Sequence, residues 1–170
     1  MRKPKPVTAE RLEKSALHYL ERFATSTGNL RRVLMRKVMR DAELDEEGRR
    51  AMADAIDRLL ARFQASGLLN DKVYAEGRVA ALRRRGDSKR GIGIKLAVKG
   101  VPRELVAKTL EQDETTDEAA AMAFARRRRL GPYRPADKRA EFRQKDMAAM
   151  GRAGFDYGTA RAVIDGVLEE

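Results

Sequence analysis

Apolar residues recur along the chain at three- and four-residue intervals, the spacing of one face of an α-helix. Leu12, Ala16, Tyr19, Leu20 and Phe23 form the first stripe, with Thr8 in the N-cap position. Ala24–Gly28 breaks it. Leu30, Val33, Leu34 and Val38 then line one side of a second helix whose other side is Arg31, Arg32, Arg36, Lys37 and Arg40. Met52, Ile56, Leu59, Leu60 and Phe63 mark a third, ended by Gly67. Asn70 or Asp71 caps a fourth that runs through Tyr74, Val79 and Leu82 to Arg85, with Gly86 as its stop. Ser88 opens a fifth with Ile92 and Leu96, closing at Gly100.

Pro102 suits the first position of a short sixth helix with Leu105, Val106 and Leu110. After the acidic linker Glu111–Asp117, Thr115 and Glu118 have capping-box spacing ahead of an Ala-rich helix ending in Arg126-Arg127-Arg128-Arg129. Pro132 and Pro135 bracket a loop. An eighth helix from about Asp137 to Gly151 carries Phe142, Met147 and Met150. Asp156 caps a ninth with Ala160, Val163, Ile164, Val167 and Leu168. No run alternates as a strand would. The pattern predicts an all-α protein of nine helices.

The nine sort into three triplets. Ser26-x-x-x-Leu30-x-x-x-Leu34-x-x-Lys37 recurs 62 residues later as Ser88-x-x-x-Ile92-x-x-x-Leu96-x-x-Lys99. A weaker third copy is Met147-x-x-Met150-x-x-x-Gly154-Phe155. The division expected is a disordered basic arm at 1–7 and three-helix repeats at 8–66, 67–113 and 114–170. Each repeat alone is too small to bury much surface, so an elongated, curved tandem is expected.

Composition narrows the chemistry. The 170 residues hold 37 Lys plus Arg against 26 Asp plus Glu, a net charge of +11, and no Cys. That excludes disulfides, thiolate metal sites and a cysteine nucleophile. No apolar run reaches the ~18 residues of a membrane span. The basic N-terminus lacks the apolar stretch of a signal peptide, so a cytoplasmic protein without membrane contact is expected.

Such a charge points to a polyanionic partner. Residues 83–103 hold eight bases and one acid. The candidate binding residues are Arg31, Arg32, Arg36 and Lys37 in the first copy. In the second they are Arg83, Arg84, Arg85, Lys89, Arg90, Lys95 and Lys99. In the third they are Arg126, Arg127, Arg139 and Arg143. Bases at one position of each copy suit salt-sensitive, sequence-tolerant contact with phosphates.

The strings Gly67-Leu68-Leu69-Asn70-Asp71-x-x-Tyr74-Ala75-x-x-x-Val79, Arg83–Gly86 and Ile92-x-x-x-Leu96-x-x-Lys99-Gly100-Val101 resemble the central repeat of the RecX family of regulatory proteins. Ala16-Leu17-x-Tyr19-Leu20 with Ser26–Lys37 is similar to its first repeat, and Gly154-Phe155-x-Tyr157 with Val163-Ile164 to its last. Asn29, Val38 and Gly151-Arg152-Ala153 depart from the family pattern. The resemblance implies a monomeric modulator that lies in the groove of the RecA–DNA filament. It would restrain strand exchange, ATP hydrolysis and co-protease activity, with weak, salt-sensitive binding to single- and double-stranded DNA.

The alternative is a general DNA- or RNA-binding helical module. A sequence-reading helix-turn-helix fits less well, because Gly91 and Gly93 stand where base-reading side chains belong. Tyr133 is the one candidate for base stacking, and a loop anchor suits it better. No phosphate loop or dinucleotide fingerprint occurs. His18 reads as a packed or surface residue, the acids of 41–47 as a solvated linker, and Met122, Met147 and Met150 as core. No catalytic residue, metal or cofactor is expected.

Overall fold

The computed structural model describes residues 6–166. Among them are nine α-helices and no strand: α1 (Ala9–Leu20), α2 (Thr27–Arg40), α3 (Glu46–Ala65), α4 (Asp71–Arg84), α5 (Lys89–Val98), α6 (Arg103–Glu111), α7 (Asp117–Arg128), α8 (Ala136–Ala153) and α9 (Tyr157–Ile164). A 3₁₀ turn, Gly131–Tyr133, precedes α8. The all-α class is the one the apolar periodicity requires. Residues 1–5 of the expected arm, and Val167 and Leu168 of the last stripe, lie outside the described residues.

Cap chemistry sets most boundaries. Thr8, Ser26, Asp45 and Asp156 each accept a backbone N–H from the first turn of the helix they precede. Asn70 does so for α4 and Ser88 for α5. One cap differs from expectation: Thr116, not Thr115, accepts the Ala119 N–H at 3.1 Å. Thr115 instead gives its carbonyl to Arg83.

The chain forms two compact units, Met1–Ala75 with Lys99–Pro102, and Glu76–Val98 with Arg103–Glu170. In the first, α1, α2 and α3 pack a core of Leu12, Ala16, Leu30, Leu34, Val38, Ile56, Leu59, Leu60, Phe63 and Leu69. Asp71 at the start of α4 accepts both the Thr27 N–H and its hydroxyl, at 2.7 and 3.0 Å. The Ser26 hydroxyl donates to the Lys99 carbonyl. Gly28 abuts Gly100 so closely that a Cβ on Gly28 would lie 2.6 Å from the Gly100 oxygen. Val7 donates its N–H to Asp41 at 2.8 Å, which ties the start of the described chain to this unit.

In the second unit α7, α8 and α9 enclose Ala120, Ala121, Phe124, Ala125, Leu130, Met150, Phe155, Ala160, Val163 and Ile164. Four of these are Ala, so the helices approach closely. Gly86 (φ +84°) shows how closely: a Cβ there would collide with the Phe124 backbone nitrogen. α5 lies against α6.

Two apolar assignments fail. Phe23 falls beyond the end of α1 and is 52% exposed, its ring 5.1 Å from Tyr19. Met122 is exposed, because Ala120, Ala121, Phe124 and Ala125 already fill the buried face of α7.

Candidate functional site

The basic residues were read from sequence as one surface class, and packing divides them into four. Arg83 is the extreme case. Val79, Leu82 and Arg83 share the buried face of α4, and the Arg83 side chain is 0% exposed. Its Nε donates to Asp113 at 2.8 Å and its Nη1 to Asp117 at 2.7 Å. The remaining donors reach the Asp87 and Thr115 carbonyls. Expected on an exposed basic face, Arg83 is a core residue that holds the α4–α5 turn and the 113–117 segment.

That burial positions its neighbours. With Leu82 and Arg83 turned inward, Arg84 and Arg85 face solvent at the C-terminal end of α4, where cations also suit the helix dipole. Arg90 is exposed in the first turn of α5. None of these three makes an ion pair among the described residues, and neither do the exposed Arg36 and Lys99.

A second group is paired on the surface. Arg31 grips Asp57 through Nε and Nη2 at 2.6 and 3.0 Å. The hydrogen bonds hold the Asp57 carboxyl below the ordinary carboxylate range and push the Arg31 guanidinium up. Arg143 forms the same fork on Asp165 at 2.7 and 2.6 Å, and its hydrogen bonds lower the Asp165 pKa. Lys95 pairs with Asp87 at 2.7 Å. The two arginine pairs are exposed and worth at most about 1 kcal/mol each, so a stronger anion can displace their carboxylates, whereas the Asp87 side chain is mostly buried.

The rest make local contacts. Lys37 donates to the Ser15 hydroxyl at 3.1 Å, and half-buried Lys89 to the Asp113 carbonyl at 3.5 Å. Arg126 lies 5.6 Å over the Tyr133 ring and Arg127 lies 5.7 Å over Phe124. Both remain exposed and charged. Arg139 donates to the Pro132 and Arg134 carbonyls at 2.8 and 3.1 Å. Arg32 is exposed on α2. Tyr133, covered by Arg126 and seated in the 3₁₀ turn, is a loop anchor.

Two charged residues outside the expected binding set stand out. Asp146, 2% exposed, accepts a fork from Arg134 at 2.8 and 2.7 Å and the Gly131 N–H at 2.9 Å. Burial pushes its carboxyl up, but those hydrogen bonds outweigh burial and hold it below the ordinary range. The spacing Phe142, Asp146, Met150 puts it on the inner face of α8. Arg152, near the end of α8, is exposed without an ion pair among the described residues.

The other sites considered earlier resolve simply. His18 is a surface residue, its Nδ1 3.4 Å from Glu21. Of the acids in 41–47, Asp45 caps α3 and Asp41 accepts the Val7 and Glu43 N–H groups. Among the described residues no cluster of His, Asp and Glu could hold a metal ion, and no helix is long and apolar enough to cross a membrane.

The chain is 42% identical over 167 residues to Regulatory protein RecX of Myxococcus xanthus, covering 96% of this chain and 89% of that one. It is 36% identical to Regulatory protein RecX of Agrobacterium fabrum, over 92% of this chain and 83% of the relative. Against Regulatory protein RecX of Streptomyces coelicolor the identity is 30%, over 88% and 75%. No family model matches the chain, and no solved structure does.

Proposed function

The chain belongs to the RecX family of regulatory proteins, and on that footing we propose that it regulates RecA by binding the RecA–DNA filament along its groove. In this reading it catalyses no reaction of its own. It restrains ATP hydrolysis, strand exchange and co-protease activity by bridging successive protomers. The observation that carries the reading is the set of exposed, unpaired cations: Arg36, Arg84, Arg85, Arg90 and Lys99. Their number suits an anionic polymer better than a single small ligand. The protein acts as a monomer, and its direct binding to single- or double-stranded DNA is weak and falls steeply with salt.

The proposal keeps the three-repeat division at 8–66, 67–113 and 114–170. It is supported by a contact made twice. Ser26 caps α2 and donates to the carbonyl just before Gly100; Ser88 caps α5 and donates to the carbonyl just before Gly154.

The competing reading, a general nucleic-acid-binding module, rests on the same cations. A co-sedimentation experiment separates the two. Partition of the protein onto RecA assembled on single-stranded DNA is compared with free RecA and with free DNA at one salt concentration. Preference for the assembled filament supports filament regulation. Equal partition onto bare DNA supports the general module and removes RecA from the account.

A further inference from the structure

Within the second unit, α5, α7 and α8 border an open groove of about 370 Å³. Its chemistry is mixed. Ile94 and Phe124 supply apolar surface, Lys95, Arg128 and Arg152 supply positive charge, and Asp87 is the one acid in the lining. Ile94 is 59% exposed, while Ile92 and Leu96 on either side of it are buried in the core. Core packing therefore does not account for a large aliphatic side chain at this position. Arg128 and Arg152 are exposed and make no ion pair among the described residues. Lys95 shares its charge with Asp87 at 2.7 Å, and the other Asp87 carboxylate oxygen is buried without a hydrogen-bond partner.

The groove walls are fixed before anything binds. Ser88 donates to the Ala153 carbonyl at 2.7 Å while accepting the Gly91 N–H at 3.0 Å, which locks the start of α5 to the end of α8. Gly91 lets them meet: a Cβ there would lie 3.1 Å from the Ala153 oxygen. A preformed groove loses little entropy on binding.

We propose that this groove docks a short acidic segment of a protein partner built around one bulky apolar residue. The apolar side chain lies against Ile94. Flanking carboxylates meet Arg128 and Arg152, whose planar forks match carboxylate geometry. A nucleic acid fits less well. The large apolar side chain exposed in the lining is Ile94, which gives a base no ring to stack on.

The inference rests on the reading above only in requiring a protein component in the target. Its test uses no RecA, so the two can fail separately.

The test is fluorescence anisotropy of the full chain with three labelled probes: an acidic peptide with a central Leu-Phe pair, the same peptide with Ser-Ser in its place, and a single-stranded oligonucleotide of equal charge. The Leu-Phe peptide should bind at least about tenfold tighter than the Ser-Ser peptide, the factor expected from burying one large apolar side chain. Arg128→Ser with Arg152→Ser should weaken it about tenfold, as loss of two charge-assisted contacts requires, with an unchanged circular-dichroism melt. Ile94→Ser should abolish the preference between the peptides. Equal binding of both peptides, or binding indifferent to the double arginine variant, overturns the proposal. So does an oligonucleotide that displaces the Leu-Phe peptide and itself loses affinity on that variant, which would make the groove a phosphate site.

Discussion

The Ser88 hydroxyl donates to the Ala153 carbonyl at 2.7 Å, across 65 residues of chain, while its oxygen caps α5 through the Gly91 N–H. One atom thus completes a helix start and satisfies the last turn of another helix. Ser26 makes the corresponding pair of bonds to Asn29 and Lys99. Both serines are almost fully buried.

Ser88→Ala removes a cap and takes the donor from the half-buried Ala153 carbonyl together. The expected loss is about 1–2 kcal/mol, a cap of about 1 kcal/mol plus one further hydrogen bond of about 0.5–1 kcal/mol. Urea unfolding by circular dichroism measures it. A loss below a few tenths of a kcal/mol would mean the hydroxyl joins nothing that matters.

Arg83→Met keeps the stem of the side chain and deletes its charge. Asp113 and Asp117 are then left facing a thioether. The expected cost is about 3–5 kcal/mol, that of breaking a buried ion pair from one side. The variant should lose stability before it loses any intrinsic DNA contact. Differential scanning calorimetry reads the first, and oligonucleotide binding at a temperature where the variant is folded reads the second. A variant as stable as the parent but defective in binding would put Arg83 back on the interaction surface.

Acid should loosen the second unit through Asp146. Its folded pKa is depressed, so its stabilising contribution is complete above the ordinary carboxylate value of about 4. The contribution disappears as pH falls through the lowered folded value. Asp146→Asn should therefore be less stable at neutral pH and should show a flatter loss of stability between about pH 5 and pH 2 than the parent. Urea midpoints taken across that range check this. Parallel curves would show that Arg134 and Gly131 do not govern the carboxyl.

Charge removal should divide as the ion pairs do. Arg84→Ser, Arg85→Ser and Arg90→Ser together delete three unpaired exposed cations. If each meets a phosphate, the log–log salt slope of DNA binding falls by about 2–3. Arg31→Ser, whose charge is shared with Asp57, should change the slope by less than any one of them. A larger effect from Arg31 would reverse the ranking that the pairings imply.

Features governed by local chemistry were legible in the sequence. Thr8, Ser26, Asn70, Ser88 and Asp156 cap helices because the acceptor and the N–H it takes are about three residues apart. Gly67, Gly86, Gly100 and Gly154 end helices because each adopts positive φ, which glycine tolerates. Arg83 was misplaced because its partners stand 30 and 34 residues away in a segment that reads as a polar linker. A signal was nonetheless present: Arg83 is four residues from Val79 and eight from Ala75, both buried. The run Arg83-Arg84-Arg85 looks uniform as composition and is split by helical phase. Asp146, between Phe142 and Met150 at four-residue spacing, carried the same signal. Long-range pairing also hid which cations are already neutralised, since Asp57 and Asp165 lie 26 and 22 residues from Arg31 and Arg143.

The central claim is that this protein restrains RecA on DNA. The most direct measurement is the rate of ATP hydrolysis by RecA on single-stranded DNA as the full chain is titrated in. The account predicts progressive suppression at ratios well below one per RecA protomer, weakened by Lys95→Glu with Lys99→Glu while the helical content of the chain stays unchanged. An undiminished rate in molar excess of a folded protein would contradict it.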